Sequence, residues 1–459
     1  MDEGQHAVDH SAGASARLTR DARRAVLAGA VGTTIELYDF FIYGTASALV
    51  LNRLFFPSHD PAVGTLAAFA TLFVGFAVRP IGSTIFGHIG DKLGRKRALI
   101  ITLLLMGAVT GVMGLLPTYG QIGIWAPIIL VTLRCIQGLA YGGEWGGAAV
   151  LASEHANRDG RGFAGSLVQL GSPIGLLLSS GAFALVALLP DDQLLSWGWR
   201  IPFLASAILV GIGLWVRLGI KESPEFVRAK EAGEMSSRVP AIDVFRHSWR
   251  ELVIAVFLRF GPDIGYFVFG TFVVSYAVNA GVPRPQILLG VVVAASIEVV
   301  TMPLFGRLSD RIGRRRQYLI GSAWWAAIAF PAFWLIDTGS TGLAWVALVL
   351  AFAVGHAMLW SIAPAINSEL FPTRYRLTGV SYGLSLSAIF AGGPAPLIAA
   401  SLVLALGGAS WGVSLYVVAA AAVSFVAILC TPETSKRQLS DDFTRQHKPA
   451  HPAEEIAAD

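Results

Sequence analysis

Charge is what this chain has least of. Asp, Glu, Lys and Arg make up only 14% of its 459 residues, against roughly a quarter in an ordinary soluble domain. So few charges cannot coat a protein of this size in water, which excludes a soluble enzyme and a disordered chain. Cysteine is nearly absent. Cys135 and Cys430 are the only two, both inside or at the end of apolar runs, so neither a disulfide framework nor a metal site is expected. No glycine-rich phosphate loop with its lysine is present, which argues against an ATP-driven pump. There is no His-Glu-x-x-His helix, no intramembrane histidine pair and no Ser-His-Asp set, so a membrane-embedded enzyme is disfavoured and no cofactor is expected. What the chain has in quantity is apolar surface. Apolar residues reach 54% and glycine numbers 50. The apolar runs are about 20 residues long, the length that crosses ~30 Å of hydrocarbon. Outer-membrane barrel strands would be about 10 residues long with alternating polarity, and the runs here are continuous.

Twelve apolar segments can be read, at 25–51, 62–87, 98–116, 123–150, 162–189, 199–220, 251–279, 286–306, 317–337, 341–366, 377–406 and 411–430. The expected fold is an all-α membrane protein of twelve transmembrane helices. With the N-terminus inside, 28 of the 34 Lys and Arg residues fall in cytoplasmic segments. Only Arg53, Arg200 and Arg284 fall outside, while Arg79, Arg134 and Arg259 lie within spans. That bias orients the chain with both termini in the cytoplasm of a bacterial-type inner membrane. Residues 1–24 read as a cytoplasmic tail with no cleavable signal peptide, and 431–459 as a second tail. The net charge of +4 belongs to these flanks and implies no nucleic-acid partner. A polar linker, 221–250, separates two six-helix bundles, 25–220 and 251–430.

The two halves repeat. Gly87, Asp91, Gly94 and Arg95 after span 2 recur as Gly306, Asp310, Gly313 and Arg314 after span 8, at one offset of 219 residues. Lys96 and Arg97 match Arg315 and Arg316. A second pair follows spans 4 and 10, where Glu154, Arg158 and Arg161 answer Glu369, Arg374 and Arg376. Glu222-Ser-Pro near span 6 and Pro432-Glu433-Thr434 near span 12 end the halves alike. Two six-span halves in one orientation describe a transporter built from parallel repeats around a midplane site.

These paired loops resemble the signature of the major facilitator superfamily. Within it, Glu36-Leu37-Tyr38-Asp39-Phe40 with Tyr43-Gly44, Arg79-Pro80-x-Gly82, Arg134-x-x-Gln137-Gly138 and Gly142-Gly143-Glu144-Trp145 resemble the metabolite:proton symporters. Gly64 to Ala70 and Ser196 to Phe203 look nearest to the shikimate-transporter branch. Leu37 stands where that family usually places Trp. The resemblance implies two rocking bundles, proton symport, and a latch in the repeated loops that stabilises the outward-open state. In that latch Asp91 faces the start of span 11 and Asp310 the start of span 5, near Gly162. Gly87, Gly94, Gly306, Gly313, Arg95, Arg314, Glu154, Glu369, Arg374 and Arg79 join the gating set.

A buried ionisable side chain costs at least ~2.5–3.5 kcal/mol on insertion scales, so each needs a partner or a job. Glu36, Asp39 and Tyr43 share one helical face at i, i+3 and i+7. Two carboxylates so close should repel and form a protonatable pair. Glu36 and Asp39, with Asp263 and Glu298, are the expected proton-coupling acids. Arg134 and Arg259 lie at similar depths in opposite halves, suited to hold a carboxylate bidentately from two walls. Pairing of Arg259 with Asp263, or of Arg134 with Asp39, is the alternative. Arg79 lies deeper toward the cytoplasm, and Glu298 is its internal counterpart of opposite sign. Tyr38, Tyr43, Gln137, His356 and Trp360 complete the expected substrate set, although His356 reads more readily as a hydrogen-bonded packing residue. Gly142, Gly143, Gly146 and Gly147 read as close helix packing. The expected function is proton-coupled uptake of a small organic anion by a monomer. A zwitterionic osmolyte such as proline or betaine, or an exporter or antiporter, remains open.

Overall fold

A computed structural model describes residues 20–58, 60–93, 95–141, 160–219, 240–372 and 376–435, without the side chains at 20–26, 28, 61, 87–88, 90–95 and 240–243. Gly94, Glu154, Arg374 and the glycines from Gly142 to Gly147 lie outside the described residues, as do the side chains of Asp91 and Arg95. Most of the linker and both tails also lie outside.

The described residues form helices and no strand. Eleven helices are long and apolar enough to cross a bilayer. In chain order they are α1 (Gly29–Leu54), α2 (Ala62–Phe86), α3 (Lys96–Leu115), α5 (Arg161–Val186), α6 (Arg200–Leu218), α7 (Trp249–Asn279), α8 (Arg284–Ile312), α9 (Arg314–Asp337), α10 (Thr341–Leu370), α11 (Arg376–Ala405) and α12 (Trp411–Leu429). The shorter apolar helix Trp125–Tyr141 is α4. In hydrocarbon every backbone polar group must bond internally, which is why runs of this length become helices. Local chemistry sets their ends. Asp60 caps the helix that begins α2, accepting from the Ala62 N–H at 2.8 Å, with Pro61 in the first turn. Trp215, Leu188 and Ile208, at 78%, 70% and 68% exposure, belong to the apolar outer face that lipid covers. Among the eleven long spans α1, α7 and α10 are the most deeply enclosed and α6 the least.

The repeated motifs are helical where they were read as loops. The helix of α2 runs on through Leu93 and α8 through Ile312, two polar turns beyond the apolar run. Apolar periodicity marks the bilayer, whereas α8 continues because its last turns find polar partners, Asp310 meeting the Gly162 and Phe163 N–H groups. Gly313 then turns the chain at φ +96°, and α9 starts at once. A Cβ at Gly313 would also meet Glu433 Oε2 at 2.4 Å, so only glycine fits.

Proline shapes the centre of the bundle. Pro262 cannot donate to the Leu258 carbonyl, and α7 breaks at Arg259. The Leu258 carbonyl accepts instead from the Tyr318 hydroxyl and from Ser424 Oγ. Ser424 Oγ also takes the Gly261 N–H at 2.8 Å. The break is thus braced by α9 and α12 and places Arg259 and Asp263 at mid-bundle. Farther along, α1 and α7 each carry a π-helical turn, Ser47–Leu51 and Val268–Phe272. They cross closely there, since a Cβ at Gly44 would lie 2.8 Å from Thr271 Oγ1.

Candidate functional site

A small hollow lies at the centre, between the two halves. From the first half Thr33, Glu36, Leu37, Phe76 and Arg79 line it, and from the second Arg259, Asp263, Tyr266, Phe267, Trp360, Leu384, Ala388 and Gly392. Among the described residues each half therefore contributes one arginine and one acid. Arg79 Nη2 stands 3.6 Å from Glu36 Oε1. Arg259 grips Asp263 with two hydrogen bonds, Nη2 to Oδ1 at 3.0 Å and Nε to Oδ2 at 3.2 Å. The guanidinium of Arg259 also lies 4.5 Å from the Trp360 ring centre, a cation–π arrangement. Aromatic rings and two forked cations around one cavity suit a small solute that carries a carboxylate.

Arg134 is not on the opposite wall from Arg259. It is 1% exposed inside the first half, stacked 4.0 Å from the Tyr43 ring and bonded by Nη1 to Gln137 Oε1 at 2.5 Å. Gln137 Nε2 donates to Thr110 Oγ1 at 2.8 Å, and Thr110 Oγ1 donates to Asp39 Oδ2 at 2.9 Å. Arg134 and Asp39 thus share one sealed network without a direct ion pair. Depth counting gave Arg134 its height along the helix but not its azimuth. Asp39 is bonded to Thr110 whereas Glu36 faces Arg79, so among the described residues the two carboxylates are not partners of each other. Tyr43 bonds Thr71 Oγ1 at 2.5 Å, and the Tyr38 hydroxyl donates to the Pro202 carbonyl at 2.7 Å. Neither tyrosine lines the hollow, and neither does Gln137.

Arg79 does line it, rather than sitting near the basic end of the bundle, and it faces Glu36. Glu298 is fully buried and bonds His356 Nδ1. His356 stacks on Tyr266 at 3.9 Å, so the Glu298–His356 pair lies directly behind the hollow wall. Asp39 Oδ1 and Glu298 Oε2 have no hydrogen-bond partner among the described residues. Each half therefore has one acid at the hollow and one sealed behind it.

The end of the bundle that carries Arg314 to Arg316, here the basic end, is closed. Asp310 accepts from the Gly162 N–H at 2.9 Å and the Phe163 N–H at 3.0 Å, capping the start of α5. Asp310 Oδ1 also takes Arg314 Nη1 at 2.7 Å. Glu369 stands 3.8 Å from both Arg161 and Arg314 and accepts from Thr434 Oγ1 at 2.6 Å. Glu433 takes the backbone N–H groups of Arg314 and Arg315 at 2.9 and 3.1 Å. Burial pushes the Glu433 carboxyl up, but the N–H groups of Ser435, Arg314 and Arg315 outweigh it and hold the group below its ordinary value. Gly306 fits against Ser166 and the Gly162 carbonyl, with no room for a Cβ. The opposite end is also closed. Arg284 reaches Asp191 at 3.0 Å across the halves, and Phe41 and Phe267 stack 5.7 Å apart.

Several residues here escaped the sequence reading. Tyr266 had a signal, since Arg259, Asp263 and Tyr266 fall at i, i+4 and i+7 on one face. Ser387, which donates to Asp263 Oδ2 at 3.2 Å, and Thr110 had none.

The sequence profile of the Major Facilitator Superfamily matches residues 29–376 and again 263–456. The chain is 41% identical over 421 residues to the shikimate transporter of Escherichia coli (strain K12), covering 90% of this chain and 95% of that protein. It is 34% identical over 391 residues to the proline/betaine transporter of the same strain, covering 83% and 78%. The crystal structure of a D-xylose-proton symporter superposes with a TM-score of 0.68 at 20% identity, covering 91% of this chain and 100% of that one. At that identity the likeness is one of fold: twelve helices in two six-helix bundles.

Proposed function

The chain belongs to the Major Facilitator Superfamily, and from that premise we propose that it imports a small organic acid together with protons. It is a membrane transporter rather than an enzyme. The observation that carries the substrate class is the hollow, where Arg79 and Arg259 come from opposite halves and aromatic rings cover the space between them. The 41% identity to a shikimate transporter supports a ring-bearing carboxylate. In this reading residues 25–220 and 251–430 are the two rocking bodies and 221–250 joins them. Both termini face the cytoplasm of a bacterial inner membrane, and the protein acts as a monomer. The acids at and behind the hollow, Glu36, Asp263, Asp39 and Glu298, are the proton-coupling candidates. Asp310, Arg314, Glu369 and Arg161 form the gate at the basic end.

A second reading, uptake of a zwitterion such as proline or betaine, is favoured by the 34% identity to a proline/betaine transporter. The paired acids of the hollow could receive a cationic nitrogen. Proteoliposomes with an inward proton gradient separate the two. Accumulation of labelled shikimate or a related carboxylate, and not of proline or betaine, is the expected result. Accumulation of the zwitterions alone would transfer the assignment to the second reading. Proton-driven loss of preloaded carboxylate would make the protein an exporter.

A further inference from the structure

The two arginine–acid pairs of the hollow are not equivalent. Arg259 and Asp263 are locked by two hydrogen bonds, and Ser387 Oγ donates a third to Asp263 at 3.2 Å. Arg79 and Glu36 are loose. Their closest approach is 3.6 Å, and among the described residues neither the guanidinium nor the carboxylate makes a hydrogen bond. Rings hold Arg79 in place instead. Its guanidinium carbon lies 4.4 Å from the centre of Phe76, 4.5 Å from Phe40 and 4.9 Å from Tyr141. Ring faces fix the position of a guanidinium without using up its N–H donors. Arg79 is therefore a positioned fork with a replaceable partner.

Charge balance then constrains what happens on binding. Among the described residues, the two arginines and two acids of the hollow sum to zero. A carboxylate that enters adds one negative charge, which is costly in an enclosed cavity unless it is compensated. One proton on one acid restores neutrality. Asp263 is held by three donors. Asp39 is sealed behind the hollow with Thr110, and Glu298 behind Tyr266 with His356. Glu36 is the acid that loses its partner when a carboxylate takes the fork of Arg79.

We propose that substrate binds by partner exchange at Arg79. The carboxylate of the substrate takes the guanidinium, the released Glu36 carboxylate takes one proton from solvent, and the ratio is one proton per carboxylate bound. The groups that face Glu36 are consistent with this. Arg79 approaches from α2, Arg259, Asp263 and Tyr266 from α7, Arg217 from α6 and Trp360 from α10. From α4 the Tyr141 hydroxyl donates to the Glu36 carbonyl, while α5 meets this part of α1 with Gly171 and Gly175. From α11 the lining is Leu384 and Ala388. When the substrate occupies Arg79, the charges of Arg259 and Asp263 still cancel.

The proposal rests on the organic-acid reading above, and one experiment tests both separably. Purified full-length protein in weakly buffered detergent solution is titrated with shikimate, and heat of binding and proton uptake are recorded together. The wild type is expected to take up one proton per shikimate bound. Glu36→Gln is expected to bind shikimate with no proton uptake, and its affinity should lose its pH dependence. Binding by the wild type without proton uptake overturns the exchange, and that measurement needs no variant to fold. Proton uptake that persists in Glu36→Gln also overturns it. A panel of carboxylates that all fail to bind while betaine binds overturns the organic-acid reading and the exchange with it.

Discussion

Asp310→Asn should weaken the closure of the basic end by a predictable amount. Asp310 Oδ1 takes the Gly162 N–H at 2.9 Å and Arg314 Nη1 at 2.7 Å, and Oδ2 takes the Phe163 N–H at 3.0 Å. Asparagine keeps one acceptor oxygen and points an amide donor at another donor. The charge that faces both the helix start and Arg314 is lost. Breaking a buried ion pair outright costs ~3–5 kcal/mol, but Arg314 keeps Glu369 at 3.8 Å as a second partner. A loss nearer the value of one charge-assisted hydrogen bond, about 2–3 kcal/mol, is therefore expected. That shifts the population of the open basic end by about 30- to 150-fold. The assay is alkylation of Ser166→Cys in a background without Cys135 and Cys430. Ser166 is fully buried against Gly306 when this end is closed. Labelling should accelerate in the Asp310→Asn background. An unchanged labelling rate would refute the assignment of Asp310 as a strut of the closed state.

Further substitutions test other parts of the account. Gly162→Val should open the same end, because even a Cβ there would lie 2.3 Å from Ser309 Oγ, and Ser166→Cys labelling should rise. Gly44→Val should act on the other end, where its Cβ would press on Thr271 at 2.8 Å, and should leave Ser166→Cys labelling no faster than in the parent. Thr110→Val removes the donor to Asp39 and the acceptor of Gln137, so a stability loss of about 1–3 kcal/mol is expected and would register as a lower Tm. Because Glu433 sits below its ordinary value in the folded protein, its contribution is complete above that value of 4.5 and fades as pH falls through the lower folded value. Glu433→Gln should therefore speed Ser166→Cys labelling at neutral pH, and the difference from the parent should shrink on acidification.

Much of the architecture was readable because a bilayer imposes so few solutions. Run length gave the spans, and the 219-residue offset gave the repeat. Asp310 meets the start of α5 at Gly162, where the resemblance placed it. The motif itself was misread as a loop, since polarity marks where lipid stops and not where a helix stops. The interior was harder. Residue spacing fixes height and relative azimuth on one helix but not which neighbour that helix turns toward. For this reason Arg79 lines the hollow where Arg134 was expected, and Arg134 is sealed inside the first half. The brace on the α7 break could not be foreseen either, because Ser424 is one small polar residue among many and becomes meaningful only beside the Leu258 carbonyl.

The central claim is that the hollow between the halves is the place where cargo is held. Ala388 lines it and is 4% exposed, so Ala388→Cys, in the background without Cys135 and Cys430, probes it directly. The account predicts that shikimate slows alkylation at position 388 and that complete alkylation abolishes proton-driven uptake. Full labelling with uptake unchanged would contradict it.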